Sequence, residues 1–357
     1  MKYDFLIIGG GIAGISIGGR LAPNGSVCVL ETEDSIGYHA SGRSAAMFLE
    51  NYGNDIVVEL NKASTPYHKK GGYLTDRGLM SLGRSQDKDS FLAEINAMNL
   101  EQISISEALD LFPIINTKSV EYVSFLKQAP DLDTDKILQD FAKMVRRNNG
   151  VIKTKTNVKN IKKLAKSWRV ETNKESFEGT VLINAAGAWV DEVALMANVQ
   201  PLDFIPMRRS IARVPSPTAA STGNWPMVHG VGDRWYAKPD AGAWLISPCE
   251  EDPMHPHDAF ADDMVLAEGI DRYSKMVNHE ITSLQTSWAG LRTFSQDHAL
   301  VIGFDKSTKD FFWFAGQGGY GFQTAPAASQ LASELILSNS TSLAKGTIEA
   351  LSPKRFN

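Results

Sequence analysis

Residues 4–31 predict a strand, a glycine-rich turn, a helix and a second strand that ends on an acid. Gly9, Gly11 and Gly14 fill a G-x-G-x-x-G pattern between apolar runs at 4–8 and 26–30. In this pattern the glycines allow a tight turn, a close backbone approach to a pyrophosphate, and close packing of helix on strand. The helix N-terminus then faces the phosphates, and Glu31 can accept hydrogen bonds from ribose hydroxyls. The two strands and the acid favour a dinucleotide site over a structural turn without a ligand.

Composition narrows the class of protein further. A chain of 357 residues is long enough for two domains with substantial cores. A net charge of −5 argues against a nucleic-acid partner, and the lysine-rich stretch 153–166 is better explained as the solvated edge of a β-meander. Without an apolar run of about 18 residues we expect no membrane span. The apolar start of the chain is the predicted nucleotide-binding strand, which argues against a cleaved leader. Cys28, in an apolar strand, and Cys249 form no C-x-x-C pair, so we expect a cytoplasmic protein.

Further blocks of the chain resemble the family of FAD-dependent glycine and D-amino-acid oxidases. They are GYHASGRSAAMF (37–48), NAAGAW (184–189), WAGLRTF (288–294) and FFWFAGQGGYGFQTAPAAS (311–329). Within the family, the bacterial D-arginine dehydrogenases are the most similar, through PMRRS (206–210), WYAKPDAG (235–242) and LSPKR (351–355). The resemblance implies an α/β fold with a Rossmann-like FAD-binding domain of the glutathione-reductase type. It also implies a discontinuous α+β substrate domain built on an antiparallel sheet, and FAD bound non-covalently.

The two domains are expected to alternate along the chain. We predict an FAD-binding domain from 1–75, 134–200 and 288–357, and a substrate domain from 76–133 and 201–287. Residues 131–150 predict an amphipathic helix with an acidic start and a basic end, which favours its dipole. Strands are expected at 151–158, 167–173 and 180–187, and a helix beginning near Thr324 follows the glycine-rich turn at 316–321.

The resemblance also implies which residues contact the cofactor. In the strand–turn–helix–strand unit at 4–31 and the segment that follows it, these residues are Gly9, Gly11, Ile12, Ala13, Gly14, Glu31, Thr32, Ser41, Gly42, Arg43, Ser44, Ala46 and Met47. Farther along the chain, they are Val158, Ala186, Gly187, Trp189, Gly318, Gly319, Tyr320, Gly321, Phe322 and Gln323. Arg43 is expected to meet a phosphate. The helix N-terminus after Gly321 is expected to stabilise negative charge that a flavin acquires on reduction.

An amino-acid substrate needs a cationic group for its carboxylate, and arginine binds both oxygens in one plane. By resemblance, Arg292 is the first candidate and Arg209 the second, with Arg208 on the opposite face of its strand. Tyr236 and Tyr52 match two tyrosines that line the family's pocket. Taken alone, each of these residues is more often a surface or packing residue, so their assignment depends on the matching motifs.

Two positions depart from the D-arginine dehydrogenase pattern. Met47 stands where those enzymes have a histidine beside the flavin, and a thioether cannot titrate or donate a hydrogen bond. Leu79 aligns with the glutamate that recognises the guanidinium group. Glu50 and Asp233 remain as possible replacements for this acid. The side-chain pocket, which also includes Gly319 and Tyr320, is therefore expected to prefer neutral or apolar substrates.

The resulting hypothesis is oxidative deamination of a D-amino acid, by hydride transfer from Cα to flavin N5. The imino acid then hydrolyses to a 2-oxo acid and ammonia, and oxygen or a quinone accepts the electrons. Oxidation of a secondary amine such as sarcosine, of a cyclic imino acid or of a 2-hydroxy acid remains an alternative. A non-catalytic FAD-binding redox sensor is another, although a sensor has no need of a carboxylate clamp. The HPHD segment (255–258) is interpreted as a surface loop, and no metal is expected.

Overall fold

The computed structural model describes residues 2–219, 222–232 and 234–356, which form two large β-sheets with helices packed on them. The strands are β1 (Lys2–Ile8), β2 (Val27–Leu30), β3 (Leu74–Thr75), β4 (Leu79–Gly83), β5 (Glu101–Ile103), β6 (Tyr122–Leu126), β7 (Asp131–Leu132), β8 (Val151–Lys153), β9 (Val158–Lys163), β10 (Trp168–Thr172), β11 (Ser176–Asn184), β12 (Ile205–Pro215), β13 (Met227–Gly230), β14 (Tyr236–Asp240), β15 (Ala243–Ser247), β16 (Asp252–Pro253), β17 (Thr286–Phe294), β18 (Val301–Phe304) and β19 (Phe311–Ala315). The helices are α1 (Ile12–Leu21), α2 (Asp55–Gly71), α3 (Lys88–Met98), α4 (Ile105–Leu111), α5 (Thr134–Arg147), α6 (Val190–Met196), α7 (Asp263–Ser274), α8 (Gly321–Ile336) and α9 (Lys345–Leu351).

The first sheet contains the predicted nucleotide-binding unit. Its strands run in the order β18–β19–β11–β1–β2–β8, and β1 pairs in parallel with both β2 and β11. Odd and even residues of β1 face opposite sides, so Ile7 packs under α1, α5 and α8 while Leu6 packs with Trp168 and Trp313. Strands β9, β10 and β11 form the predicted antiparallel meander. The Rossmann-like architecture is therefore confirmed.

The second sheet forms the other wall of the molecule. It runs β16–β12–β15–β14–β13–β4–β6–β5, and β17 also pairs with β12. One face packs on α4 and α7 through large side chains that include Phe112, Trp235, Trp244 and Tyr273. The opposite face carries Arg209, Tyr236 and His229 toward the first sheet. The predicted antiparallel sheet is present with one exception, because β4 and β13 pair in parallel.

Three element boundaries in the structure differ from those expected from the sequence. Strand β17 pairs with β12 along Thr286–Phe294, so the chain returns to the first sheet after residue 294 and not at 288. Helix α8 begins at Gly321, before the expected Thr324, because the chain turns into the helix directly after Tyr320. The predicted strand 151–158 is interrupted after Lys153, where pairing with β2 ends, and Val158 begins a new strand.

Helix α5 shows why the predicted helix has its charge pattern. Asp133 lies at its N-terminal cap and accepts a hydrogen bond from the Lys136 N–H, while Arg146 and Arg147 occupy its last turn. Both arrangements stabilise the helix, because unpaired N–H groups receive an acceptor and the negative end of the dipole receives cations. Its buried face packs on α1.

Across residues 2–219, 222–232 and 234–356, no helix has the length and apolar character needed to cross a bilayer.

Candidate functional site

A cavity of about 820 Å³ lies between the two sheets. Residues predicted for the cofactor or substrate that line it are Gly9, Gly11, Ile12, Ala13, Glu31, Thr32, Ser41, Arg43, Ser44, Ala46, Met47, Tyr52, Leu79, Val158, Ala186, Gly187, Trp189, Arg209, Tyr236, Arg292, Gly318, Gly319, Gly321, Phe322 and Gln323. The cavity has a volume much larger than that of one amino acid, and its two ends differ in chemistry. One end is formed by the glycine turn of β1–α1, and the other by the second sheet and α3.

The β1–α1 turn has the geometry that a bound pyrophosphate requires. Gly9 has φ +108°, and a Cβ there would approach the Ala185 carbonyl oxygen to 2.3 Å, so glycine is required. Gly14 lies outside the cavity lining and packs helix on strand, since a Cβ there would be 1.9 Å from the Gly9 oxygen. Helix α1 begins after Gly11 without a side-chain cap from that residue. The turn therefore directs the positive end of a helix into the cavity.

Glu31 lies at the end of β2, beside this turn. Its carboxylate accepts hydrogen bonds from the backbone N–H of Gly10, at 2.7 Å, and of Glu33, at 2.8 Å. These two bonds fix the carboxylate in the cavity wall, although the side chain is buried. A carboxylate oxygen has capacity for further donors, so the arrangement suits paired ribose hydroxyls.

The segment after β2 crosses the cavity and corrects one expectation. Arg43 lines the cavity, but its guanidinium donates to the Ala259 and Ala289 carbonyls, each at 2.8 Å, and pairs with Asp258. These contacts join the segment to the second sheet's loops, so the predicted phosphate contact of this side chain is not supported. Ser41 instead accepts the Ile12 N–H at 3.0 Å.

Three further residues of the predicted site lie outside the lining of the cavity. Among the described residues, Gly42 is absent from the cavity lining and packs on the Gly37 carbonyl. Tyr320 is also outside the lining; its ring packs edge-on against that of Tyr52, with centroids 5.5 Å apart. Glu50 is exposed, is absent from the lining and accepts a hydrogen bond from the Thr65 hydroxyl at 2.7 Å.

The returning turn before α8 supports the opposite wall of the cavity. Gly318 has φ +47° and donates its N–H to the Thr293 carbonyl, which connects the turn to β17. Gly319 lies directly against Arg292, because a Cβ on Gly319 would be 1.7 Å from Nη2. Gln323 accepts the Leu49 N–H at 2.6 Å and so connects α8 to the crossing segment. The turn thus leaves room for the Arg292 guanidinium and for the open N-terminus of α8.

The predicted arginines and tyrosines lie together in the cavity. Arg209 and Arg292 come from neighbouring strands β12 and β17, and both guanidiniums reach one oxygen of Glu251, at 2.8 Å and 3.1 Å. Arg292 also donates to the Tyr52 hydroxyl at 3.3 Å. Arg208 lies on the opposite face of β12, as expected, where it pairs with Asp252. The two guanidiniums thus converge on a shared carboxylate oxygen, the kind of contact that arginines make with carboxylates.

The electrostatics of this corner keep Tyr236 protonated. Burial raises the pKa of Tyr236 to about 12, with Cys249 adding to the rise, while the Arg209 and Arg292 charges oppose it. Burial favours the neutral form of Arg292, but Tyr52, Glu251 and Tyr236 together raise its pKa above the ordinary value. At neutral pH the corner therefore presents hydroxyl and guanidinium donors to a ligand.

The apolar part of the cavity contains the two departures identified in the sequence. Leu79 and Met47 are both buried there, and they pack with Ala129, Met98 and Met227. No carboxylate occupies position 79, but the same region contains two polar groups that the sequence analysis missed, Glu94 on α3 and His229 on β13. Asp233, the other suggested replacement, lies outside the described residues.

Sequence reasoning also missed Glu251. A signal was present in the acidic run 250–252, which complements the arginine pair 208–209. The structure pairs these groups across β12, with Arg209 on Glu251 and Arg208 on Asp252. No comparable pattern marks Glu94 or His229, because only the packing of α3 over β4 and β13 brings them together.

Known proteins share this architecture. The family description FAD dependent oxidoreductase (DAO) matches residues 4–335. A glycine oxidase of Bacillus licheniformis is 23% identical over 355 residues, covering 95% of this chain and 94% of that protein. The structure of L-α-glycerophosphate oxidase from Mycoplasma pneumoniae with FAD bound superposes with a TM-score of 0.84, at 19% identity and 96% coverage of both chains. That of L-proline dehydrogenase from P. horikoshii gives 0.83, at 22% identity, with 99% of this chain and 98% of that chain covered.

These matches extend over nearly the whole chain and agree with the glycine turn, the acid after β2 and the large cavity. The relatives act on chemically different substrates, so they identify the cofactor and the type of reaction rather than the molecule oxidised. The chain belongs to the DAO family of FAD-dependent oxidoreductases, and its cofactor is FAD.

Proposed function

We propose that the protein catalyses oxidative deamination of a D-amino acid, producing an imino acid that hydrolyses to a 2-oxo acid and ammonia. The observation that carries the proposal is the convergence of Arg209 and Arg292, which both line the cavity, on one oxygen of the Glu251 carboxylate. The resemblance to D-arginine dehydrogenases, through the motifs that contain Arg209, Tyr236 and Arg292, supports the D-configuration.

The net charge of the arginine clamp, formed by Arg209 and Arg292, favours a carboxylate ligand over a phosphate. Arg209 and Arg292 contribute two positive charges and Glu251 one negative charge, which leaves a formal charge of +1 in the corner. A substrate carboxylate carries one negative charge, whereas a phosphate monoester carries about −1.5 to −2 at neutral pH. Since unbalanced buried charge is costly, a glycerophosphate-like substrate fits this corner less well.

Different residues of the cavity bind the cofactor, bind the substrate carboxylate and position these groups. Bound FAD supplies a hydride acceptor, and the glycine turn, Glu31 and the open end of α8 are the groups that would hold it. Arg209 and Arg292 bind the substrate carboxylate in the plane of their guanidiniums. Tyr236 keeps its phenolic proton and donates a hydrogen bond, while Tyr52 holds Arg292 in place. Positioning in this way supplies much of the rate acceleration.

Proton transfer requires no side-chain base in this arrangement. Met47 cannot accept the proton of the substrate ammonium group. The amine therefore loses its proton to water before the Cα–H bond breaks. A reaction of this kind is expected to speed up with pH until the bound amine is deprotonated.

The test is anaerobic mixing of the yellow protein with a panel of small molecules, followed by readmission of oxygen. The panel contains D- and L-amino acids, sarcosine, proline, 2-hydroxy acids and glycerol 3-phosphate. Loss of flavin absorbance with D-amino acids, and production of the matching 2-oxo acid, is the expected result. Loss of absorbance with another compound class alone would replace this proposal with that activity. The rate of recovery in oxygen reports whether oxygen accepts the electrons directly.

A further inference from the structure

The cavity continues past the arginine clamp to a polar pair that the proposed reaction does not use. His229 Nε2 lies 3.3 Å from a carboxylate oxygen of Glu94, and their side chains are only 7% and 13% exposed. Within the described residues, this buried nitrogen has no partner in hydrogen-bond geometry. Both residues line the cavity. An unsatisfied buried nitrogen beside a carboxylate is costly unless a ligand completes it.

The pair is held by contacts from strand β4 and from the turn that follows β13. Ser81 on β4 donates its hydroxyl to Glu94, and the Gly232 N–H donates to the second carboxylate oxygen at 3.2 Å. Ser81 and His229 are register partners across β4 and β13, so they lie side by side on one face of the sheet. These contacts orient the Glu94 carboxylate and leave lone pairs for a further donor.

The same sheet connects this pair to the clamp. His229 is the register partner of Tyr236 across β13 and β14, so both side chains rise from the same face. The strand order β12–β15–β14–β13 places His229 three strands from Arg209, which corresponds to about 14 Å between the backbones. A ligand held by the long Arg209 side chain therefore needs an extended side chain of its own to reach His229.

Apolar residues line the path between the two ends. Leu79 and Met227 are register partners, and Met98 on α3 packs beside them. A substrate side chain would gain from burial along these carbons and then meet Glu94 and His229. Glu94 is only an acceptor when ionised, so it selects a group that donates.

We propose that Glu94 and His229 form the recognition site for the end of the substrate side chain. The inference rests on the proposed function and specifies its substrate class. That class is an amino acid with an extended, mostly apolar side chain that ends in an N–H or O–H donor, either neutral or cationic. Leu79 on β4 replaces the glutamate of the D-arginine dehydrogenases and leads us to expect neutral or apolar substrates. The proposal revises that expectation, because Glu94 on α3 supplies a carboxylate in its place.

The test compares substrates that differ in the terminal donor, using the full-length protein with FAD bound. The pairs are D-lysine with D-norleucine, for a cationic donor, and D-glutamine with D-methionine, for a neutral one. We expect kcat/KM to be at least tenfold higher for the donor-bearing member of one pair or both. In Glu94→Gln, which keeps the shape and the acceptor for Ser81, the ratio should fall below threefold. Glu101→Gln, an exposed position on β5, is the control and should keep the wild-type ratio.

Failure of this inference and failure of the proposed function look different. Ratios within threefold for both pairs in the wild type, or a ratio that Glu94→Gln leaves unchanged, would overturn the inference. If amino acids bind without any loss of flavin absorbance, the proposed function is wrong. The same pairs then give a ratio of Kd values from the spectral change on binding, and equal Kd values would overturn the inference as well.

Discussion

Replacing Gly319 with alanine should displace Arg292 without touching its chemistry. A Cβ at this position would lie 1.7 Å from Nη2 and 2.5 Å from Cζ of Arg292. Ordinary contact begins near 3.4 Å, so the guanidinium must move by about 1.7 Å, or the turn must move instead. Misplacing a binding group by roughly 1 Å can cost on the order of 10²-fold in rate. We therefore expect kcat/KM to fall between about 10-fold and 100-fold in Gly319→Ala.

The assay is steady-state kcat/KM with the best substrate of the panel, together with the FAD content of the purified variant. Because Gly319 does not have positive φ, alanine is compatible with its backbone and the fold should be retained. Gly346→Ala serves as the matched control, since no heavy atom lies within 4 Å of its added Cβ. Unchanged kcat/KM in Gly319→Ala would refute the idea that activity depends on the position of the Arg292 guanidinium. If the variant loses FAD, the lower activity would be explained by loss of the cofactor.

The remaining predictions concern the clamp, the cofactor linkage and stability. Arg292→Ala should lower kcat/KM by at least ~10²-fold with FAD retained, since a charge-assisted bidentate contact worth roughly 3 kcal/mol is lost, and Arg292→Lys should recover part of it; near-normal activity would contradict the clamp. FAD should appear in the supernatant after acid precipitation, because residues 293–298 contain no cysteine for attachment; a coloured pellet would show a covalent bond. Burial raises the pKa of Asp297, but Arg355, Ser295 and the Ala299 N–H outweigh it and hold the pKa at about 2. The stabilisation is therefore present above the unfolded value near 4 and is lost as pH falls toward 2. Because the carboxylate is partly exposed, Asp297→Asn should cost about 1 kcal/mol at pH 7 and little at pH 2, measured by denaturant unfolding.

The nucleotide-binding half could be predicted because its signals are local. Gly9, Gly11 and Gly14 each meet a local need for a residue without a side chain within one strand–turn–helix unit, and Glu31 follows the next strand. Such features depend on neighbours in sequence, so they are readable before the fold is known.

The residues that complete the site could not be found in this way. Arg43 looked suitable for a phosphate, but tertiary contacts with the Ala259 and Ala289 carbonyls and with Asp258 occupy its donors. Glu94 meets His229 only because α3 folds over β13, a contact between residues 135 positions apart in sequence (229 − 94). Long-range pairings of this kind leave no periodic pattern in one sequence.

The carboxylate that Glu251 places between the two arginines has a consequence for turnover. In the proposed reaction the imino acid product retains the carboxylate of the amino acid, so the arginine clamp would bind product and substrate by the same contacts. Two unneutralised guanidiniums would hold both tightly, and binding that is equal at every stage of a reaction does nothing to speed it. Because Glu251 cancels one of the two positive charges, we expect it to weaken binding of the departing product while leaving the guanidiniums in position for the next substrate. We therefore expect Glu251, which takes no part in the chemistry, to speed product release, a step that limits many enzymes.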